Sequence, residues 1–407
     1  MTGRLVVVGA ALAGVRAVEA ARTAGFGGTV TLVGAEDHLP YDRPPLSKAF
    51  LDADGPEPPV PVLRDPAALR DELGVELRLG APATALDTRE RTVSVGGSAV
   101  RYDALVIATG SRPLPPTGAG RLGGVHTLRT VEDARAIRRA LDSGARTVVV
   151  GAGFVGAEVA SAARRRGLDV TMVDAASAPL ARALGEPMGR LCAEMHADHG
   201  TDLRLGVTVT GMEGAERVER VLLSDGSTVP ADLVVAGIGA RPATEWLDGS
   251  DVAVDDGVLC DPTLATSVPG VYAAGDVARW LNPLFGTSMR LEHWTNAAEQ
   301  GAAAARNAVG ADGARPFETV PYFWSDWYGV RIQFVGVPGA DDLAVFGDVP
   351  GRRFIALYRL ADRLAGVLAV GRRPVVARYR ALLRRRATWS EALEYADGTG
   401  AATGPSP

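Results

Sequence analysis

Two short glycine turns carry the first chemistry legible in this chain. "GAALAG" spans Gly9 to Gly14, and "GAGFVG" spans Gly151 to Gly156. Each follows a run of valines and opens a stretch with helical patterning, so each sits where a strand turns into a helix. In such a turn the first glycine permits the tight corner, the second lets the backbone approach a pyrophosphate, and the third lets helix and strand pack closely. Free N–H groups and a partial positive charge at the helix N-terminus then face the phosphates. The second turn keeps all three glycines, Gly151, Gly153 and Gly156, and Asp174 closes its unit, placed to accept from a ribose hydroxyl. In the first turn Ala11 replaces the middle glycine, a small obstruction that shifts a phosphate without barring it, and Glu36 is the closing acid. One such turn is a weak signal. Two, each in strand–turn–helix–strand–acid order, favour a pair of dinucleotide sites over two mere tight corners in an α/β sheet.

The elements that must position these turns form a repeat. "RLVVVGA" (4–10) and "TVTLVGAE" (29–36) read as strands around an Ala-rich helix from about Leu12 to Ala24. "RTVVVGAG" (146–153) and "DVTMVDA" (169–175) flank a second helix, Phe154 to about Arg166. Further apolar strands end on small residues in "YDALVIATG", "ADLVVAGIGARP" and "PGVYAAGDVA". From about Pro316 aromatics and strand-like runs mark a separate C-terminal domain. The expected fold is α/β: two Rossmann-like dinucleotide-binding domains plus a C-terminal α+β domain. The boundaries are 1–111 and 241–315 for the two parts of the first domain, 112–240 for the second, 316–395 for the third, and a disordered tail at 396–407.

Bulk properties restrict the function. The chain has 407 residues, 47% of them hydrophobic and 22% charged, ample for two or three domains with ordinary cores. A net charge of −5 argues against a general nucleic-acid binder. No run of about 18 apolar residues is present, so no membrane span is expected. The N-terminal apolar run is used by the first strand, which reads as mature sequence, not a signal peptide. Two cysteines, Cys192 and Cys260, exclude a disulfide framework and fit a reducing cytoplasm. Both read as small buried hydrophobes. His196 and His199, at i and i+3, lack a third ligand and read as solvated helix residues instead of a metal site.

Eight motifs, in order and at their spacing, resemble the NADH-dependent ferredoxin reductases of the glutathione-reductase-like flavoprotein superfamily. They are "VVVGAALAG", "YDRPPLSKAFL" (41–51), "ALVIATGSRP" (104–113), "LRTVEDA" (128–134), "VVVGAGFVGAEVA" (148–160), "GVYAAGDVA" (270–278), "EHWTNAAEQG" (292–301) and "YFWSDWYG" (322–329). The resemblance covers about residues 3 to 390. It implies FAD held permanently at the first turn and exchangeable NADH at the second, with a hydride passing from nicotinamide to flavin and electrons leaving one at a time to an acidic iron–sulfur ferredoxin. That ferredoxin would feed a haem monooxygenase or a Rieske-type oxygenase.

The resemblance also implies roles. Gly9, Ala13 and Gly14 would cradle the FAD pyrophosphate, with Glu36 at its ribose. Arg43, Ala83, Arg129, Thr109, Gly110, Asp276 and Trp294 would also touch FAD. Lys48 would set its ammonium near the reactive part of the flavin and pair with Glu158, which would point from the first turn of its helix towards the nicotinamide. For both, the competing reading is an ordinary surface charge. Gly151, Gly153, Gly156 and Asp174 would hold NADH, with Gly239 on the nicotinamide side. Trp324 would lie beside the flavin, whereas Tyr322 and Trp327 fit a core cluster; Trp327 departs from a frequent Gln. Asp174 would repel the extra phosphate of NADPH, and the Ala175 and Ala176 that follow supply no cation. Neither C-x-x-x-x-C nor C-x-x-C is present, so electrons would leave the flavin directly.

Arginines cluster in "GRRPVVARYRALLRRR" (Arg372, Arg373, Arg378, Arg380, Arg384, Arg385 and Arg386), either as a docking patch for an acidic partner or as a solvated helix face. A rubredoxin reductase, an NADH oxidase and a non-enzymatic NADH-sensing flavoprotein are the alternative functions.

Overall fold

Runs such as "LVVV" and "TVVV" are apolar at every position because both faces of their strands are covered. The computed structural model describes residues 3–52, 55–120, 122–310, 313–371 and 375–398. The chain divides into two units. The first comprises Met1–Asp42, Val60–Arg112 and Ala240–Pro321; the second comprises Arg43–Pro59, Pro113–Gly239 and Tyr322–Pro407.

The first unit is built on β1 (Arg4–Val8), α1 (Leu12–Thr23) and β2 (Thr29–Val33). These join a five-stranded sheet in the order Val271–Ala273, Ala104–Ile107, β1, β2, Val75–Arg78. All four pairings are parallel, and β1 runs in register from Arg4 opposite Thr29 to Val8 opposite Val33. Leu5 and Val7 enter one core with the α1 residues, while Val6 and Val8 enter another on the opposite face. This two-sided burial is why the strand shows no polar alternation. The helix Trp294–Val309 shares the first core. At Gly301 an added Cβ would lie 2.1 Å from the carbonyl oxygen of Ala13, so only glycine allows the helix to approach α1 this closely.

The second unit repeats the plan with β3 (Thr147–Val150), α2 (Phe154–Arg165) and β4 (Val170–Asp174). Its parallel sheet runs Asp202–Leu205, β4, β3, Leu233–Ala236, Val125–Thr127. A helix α3 (Glu186–Asp198) lies in the same unit. The C-terminal part is an antiparallel sheet that begins with β5 (Tyr322–Trp327) and β6 (Val330–Gly336) and continues through Arg363–Val370, Arg353–Leu360 and Asp342–Asp348. The helix Val376–Arg384 follows. This is the expected fold class, two Rossmann-like cores with an α+β C-terminal part. Of the expected tail, residues 396–398 close the helix Trp389–Gly398 and the remainder lies outside the described residues.

No described helix is long and apolar enough to cross a membrane.

Candidate functional site

The two glycine turns have the same backbone shape. Gly9 has φ +123° and Gly151 φ +100°, a region that side chains avoid. A Cβ on Gly9 would meet the Ala108 carbonyl oxygen at 2.0 Å, and one on Gly151 would meet that of Gly237 at 2.5 Å. Gly14 and Gly156 are equally tight, each with the carbonyl oxygen of its own turn's first glycine about 2 Å from a notional Cβ, at 1.9 and 2.1 Å. The middle positions differ in kind. Gly153 caps α2 in extended conformation (φ −81°, ψ −173°), and its notional Cβ meets only the Gly237 oxygen, at an ordinary 3.5 Å. Ala11 caps α1 in the same region (φ −123°, ψ −161°). The middle glycine is therefore not required by the fold; its bare side is what a close-approaching phosphate needs.

Both turns thus fit a dinucleotide: the corner and packing glycines are forced, and the N-terminal N–H groups of the helix are unused by any side-chain cap. In the first unit, buried Asn296 Oδ1 and Gln300 Nε2 find no hydrogen-bond partner within the described residues, as expected where a polar ligand completes the site. Gln300 Oε1 accepts from the Gly275 N–H at 2.8 Å, just before Asp276.

The remaining candidates in the first unit are organised by their own contacts. Glu36 accepts from the Tyr41 hydroxyl, and Asp276 accepts from Ser111 Oγ at 3.1 Å. Thr109 donates to the Ala243 carbonyl at 2.8 Å, and Gly110 takes φ +71° where the strand turns away. The Trp294 indole donates to Asp42 at 2.7 Å. Ala83 opens a small antiparallel sheet, Ala83–Asp87 with Thr92–Val95 and Ser98–Arg101.

In the second unit the central group is Glu158. It stands in the second turn of α2, not the first, and is 3% exposed. Lys48 Nζ lies 2.7 Å from its Oε1. Ser47 Oγ donates to Oε2 at 2.5 Å, while Ser325 Oγ and the Asp326 N–H (3.3 Å) both donate to Oε1. A buried carboxylate with four donors is compensated, which removes the surface-charge reading for Glu158. It also keeps the side chain occupied inside the unit, so it does not hang free over a cleft.

Lys48 is placed by local sequence. Pro44 and Pro45 preset φ for the 3-10 turn Pro44–Ser47, and Leu46, Phe50 and Leu51 bury its apolar side. Arg138, 4% exposed, donates to the carbonyls of Phe50 (2.8 Å) and Gly55 (2.7 Å), fixing the segment. Arg43 donates to the Arg129 carbonyl at 2.5 Å.

Asp174 ends β4 and accepts from the Ala152 N–H (2.6 Å) within the glycine turn and from the Ala176 N–H (2.8 Å). Its charge is thereby fixed beside the turn. Gly239 (φ +111°) is exposed, and its carbonyl accepts from the Leu114 N–H at 3.0 Å. Trp324 is half-buried on β5, ring-stacked on Tyr322 at 5.9 Å. Trp327 belongs to the core, 0% exposed.

Three side chains with structural weight escaped the sequence reading. Ser47 and Ser325 lie inside recognised motifs but bond to a residue more than a hundred positions away. His196 corrects an expectation. It is fully buried, its Nδ1 pairs with the Tyr328 hydroxyl at 2.8 Å, and burial lowers its pKa to about 4, so it is neutral. Its helix turns it inward against Trp327, at 5.1 Å between centroids. His199 is exposed and stacks on Tyr328. Among the described residues no three ligand-type side chains gather for a metal. Burial pushes the thiols of Cys192 and Cys260 up to about 12, which makes them inert at neutral pH. In the basic segment Arg378, Arg384, Arg385 and Arg386 are exposed, with Arg385 paired to Glu391 at 2.6 Å; Arg372 and Arg373 lie outside the described residues.

A chain of two glycine-cornered parallel sheets and a C-terminal antiparallel sheet defines a two-nucleotide oxidoreductase architecture. The model of the pyridine nucleotide-disulphide oxidoreductase family matches residues 3–301, and the reductase C-terminal model matches 322–399. This chain belongs to the pyridine nucleotide-disulphide oxidoreductase family. It is 38% identical over 372 residues to rhodocoxin reductase of Rhodococcus erythropolis, covering 90% of this chain and 86% of that one. It is 37% identical to the ferredoxin–NAD(+) reductase component of the anthranilate 1,2-dioxygenase system of Burkholderia cepacia, covering 90% of each. The reductase in a solved covalent putidaredoxin reductase–putidaredoxin complex superposes with a TM-score of 0.89 at 35% identity, covering 94% of this chain and 93% of that one.

Proposed function

We propose that this chain is an FAD-containing reductase that takes a hydride from NADH and passes single electrons to an acidic iron–sulfur ferredoxin serving an oxygenase. One observation carries the reading: two dinucleotide cradles share a chain whose only two cysteines, buried Cys192 and half-buried Cys260, are far apart in sequence and have thiols pushed up to about 12, so electrons have no dithiol to leave through. The ferredoxin reductases among its relatives support the choice of acceptor.

Bound FAD supplies hydride acceptance and one-electron release; the chain supplies binding and electrostatics. Gly9, Ala13 and Gly14 hold the FAD pyrophosphate, Glu36 its ribose, and Arg43, Ala83, Thr109, Gly110, Arg129, Asp276 and Trp294 the rest of the cofactor. Gly151, Gly153 and Gly156 admit the NADH pyrophosphate, with Gly239 on the nicotinamide side. Asp174, with no cation in Ala175 or Ala176 beside it, disfavours the additional phosphate of NADPH. Lys48 offers its ammonium where negative charge grows on reduction, Glu158 keeps that ammonium in place, and Trp324 screens the flavin from water. No side chain need break a bond to a substrate proton. In this reading residues 112–240 form the NADH-binding domain, 316–395 the C-terminal domain, and the protein works in the cytoplasm.

Anaerobic stopped-flow tests the proposal. Fast bleaching of the yellow protein by NADH, slower bleaching by NADPH, and rapid reoxidation by an acidic ferredoxin are expected. Bleaching over minutes, or reoxidation by oxygen alone, overturns it in favour of an NADH sensor or an oxidase.

A further inference from the structure

One face of α2 carries polar residues at Glu158, Ser161 and Arg165, the spacing i, i+3, i+7. Glu158 and Ser161 are buried, at 3% and 0% exposed. The stripe bonds two separate segments. Towards residues 43–59 it meets Ser47 and Lys48 through Glu158, and Asp52 through Arg165. Towards the β5–β6 hairpin it meets Ser325 and Asp326 through Glu158, and the Tyr328 N–H through Ser161 at 2.7 Å.

The hairpin tip is held under strain. Trp327 pairs with Val330, leaving a two-residue turn of Tyr328 and Gly329, both with positive φ (+50° and +81°). Such a turn prefers Asn or Gly where Tyr328 stands. A tyrosine persists there because its surroundings over-determine it: the N–H bonds Ser161, the hydroxyl bonds His196 (2.8 Å) and Thr201 (3.0 Å), and the ring stacks on His199 at 4.1 Å.

Within this frame each serine hydroxyl has a defined direction. A hydroxyl has one proton to donate. Ser325 Oγ accepts from the Trp327 indole N–H at 2.7 Å, so its own proton is free for Glu158 Oε1. Ser47 has a second acceptor in the Pro44 carbonyl only at 3.5 Å, against 2.5 Å to Glu158 Oε2, so its proton goes to Glu158. Each carboxylate oxygen is thus fixed by a serine, and the Lys48 ammonium docks on the oxygen that Ser325 holds.

We propose that Ser47 and Ser325 are positioning residues for Lys48: with the Trp327 indole turning the Ser325 hydroxyl, they lock Glu158 so that it holds the lysine ammonium at one place. The inference rests on the reading that Lys48 acts on the flavin. It adds that the C-terminal hairpin, through Ser325, sets where that charge stands.

The test uses the FAD-loaded protein with Ser47→Ala/Ser325→Ala, Ser325→Thr, Trp327→Phe and Lys48→Met. In the double variant the Lys48 ammonium is loosened, not lost, and about tenfold slower flavin reduction by NADH is expected. NADH affinity should stay within about twofold of the parent, since neither serine belongs to the nucleotide turn. The midpoint potential of bound flavin should fall in the direction that Lys48→Met moves it, and amide exchange in residues 43–52 should rise. Ser325→Thr, which keeps the hydroxyl, should restore rate and potential. Trp327→Phe should give a partial loss with FAD retained, which keeps the idea testable if the double variant folds poorly.

If Lys48→Met slows reduction but the serine and tryptophan variants leave rate and potential unchanged, the positioning role is overturned while the reading of Lys48 stands. If they merely lower the melting temperature with potential unchanged, their role is structural and the inference again fails. If Lys48→Met itself changes neither rate nor potential, the underlying reading falls, and this inference with it.

Discussion

Substituting the middle glycine of the second turn separates what the fold requires from what the ligand requires. Gly153→Ala places a methyl whose nearest neighbour is the Gly237 oxygen at 3.5 Å, on a backbone that any residue adopts. Losing a glycine stabilises by about 0.4–1 kcal/mol through the unfolded chain. Alanine is a poorer N-cap than glycine by an amount on the order of 0.5 kcal/mol. The two offset, so the melting temperature should move by no more than about 2 °C. Gly151→Ala instead combines φ +100° with a Cβ 2.5 Å from the Gly237 oxygen, a backbone atom that cannot retreat. Left-handed strain and overpacking together cost about 3 kcal/mol. On the ligand side, under the proposed function the Gly153→Ala methyl would stand where the NADH phosphate approaches the helix N–H groups. Displacing one charge-assisted hydrogen bond costs about 1.5–3 kcal/mol, or roughly ten- to over a hundredfold in affinity. Thermal melts and NADH titration under anaerobic conditions read both quantities. Unchanged melting with weakened NADH binding is expected; unchanged NADH affinity refutes the assignment of this turn to the pyridine nucleotide. Ala11→Gly is the mirror experiment, and it should leave FAD bound because the first turn already tolerates its methyl.

Asp174→Asn removes the charge at the end of β4 while keeping an acceptor for one of the two N–H groups it binds. The preference for NADH over NADPH in kcat/KM should shrink by about tenfold or more, from a Coulomb term of roughly 1–4 kcal/mol; an unchanged ratio rejects the role. His196, with its pKa lowered by burial from 6.5 to about 4, binds its proton more readily when unfolded. Its share of stability is therefore full above pH 6.5 and lost as pH falls towards 4, by about 3 kcal/mol at most. Urea midpoints measured across that window should fall less steeply for His196→Gln than for the parent. Cys192 and Cys260, with thiols pushed up to about 12, should resist iodoacetamide in the native protein and react only on denaturation. Rapid native labelling of Cys192 would contradict its burial.

The repeat was legible because it depends on local rules. Valine runs, glycine corners and terminal acids are short-range signals, and they located β1, α1 and β2, and β3, α2 and β4, to within three residues of their observed ends. The fold itself asks for no glycine at residue 11, because its extended N-cap backbone accepts a methyl. His196 was misread for a physical reason: its helix is polar enough that i and i+3 spacing gives no inward direction, and its burial comes from Tyr328 and Trp327, more than 130 residues later. The Lys48–Glu158 pair was suggested by resemblance, yet the four-donor cage around it was not, since Ser47 and Ser325 are common polar residues until the fold joins them.

One signal in the sequence did point towards that cage. In "FVGAEVASAARR" a glutamate and a serine three positions apart interrupt the small and apolar stretch that precedes the two closing arginines. A buried carboxylate survives only with compensating donors, so its presence on a core-facing stripe demands partners from elsewhere in the chain. Those partners turn out to carry Lys48 on one side and Trp324 on the other, both joined to the helix whose N-terminus begins at the nucleotide turn. Under the proposed function a single helix serves two tasks: its first turn would offer N–H groups to a phosphate, and its polar stripe would fix the charge assigned to the flavin. Changes along that stripe should accordingly alter flavin potential before they alter NADH affinity, whereas changes at Gly153 should do the reverse.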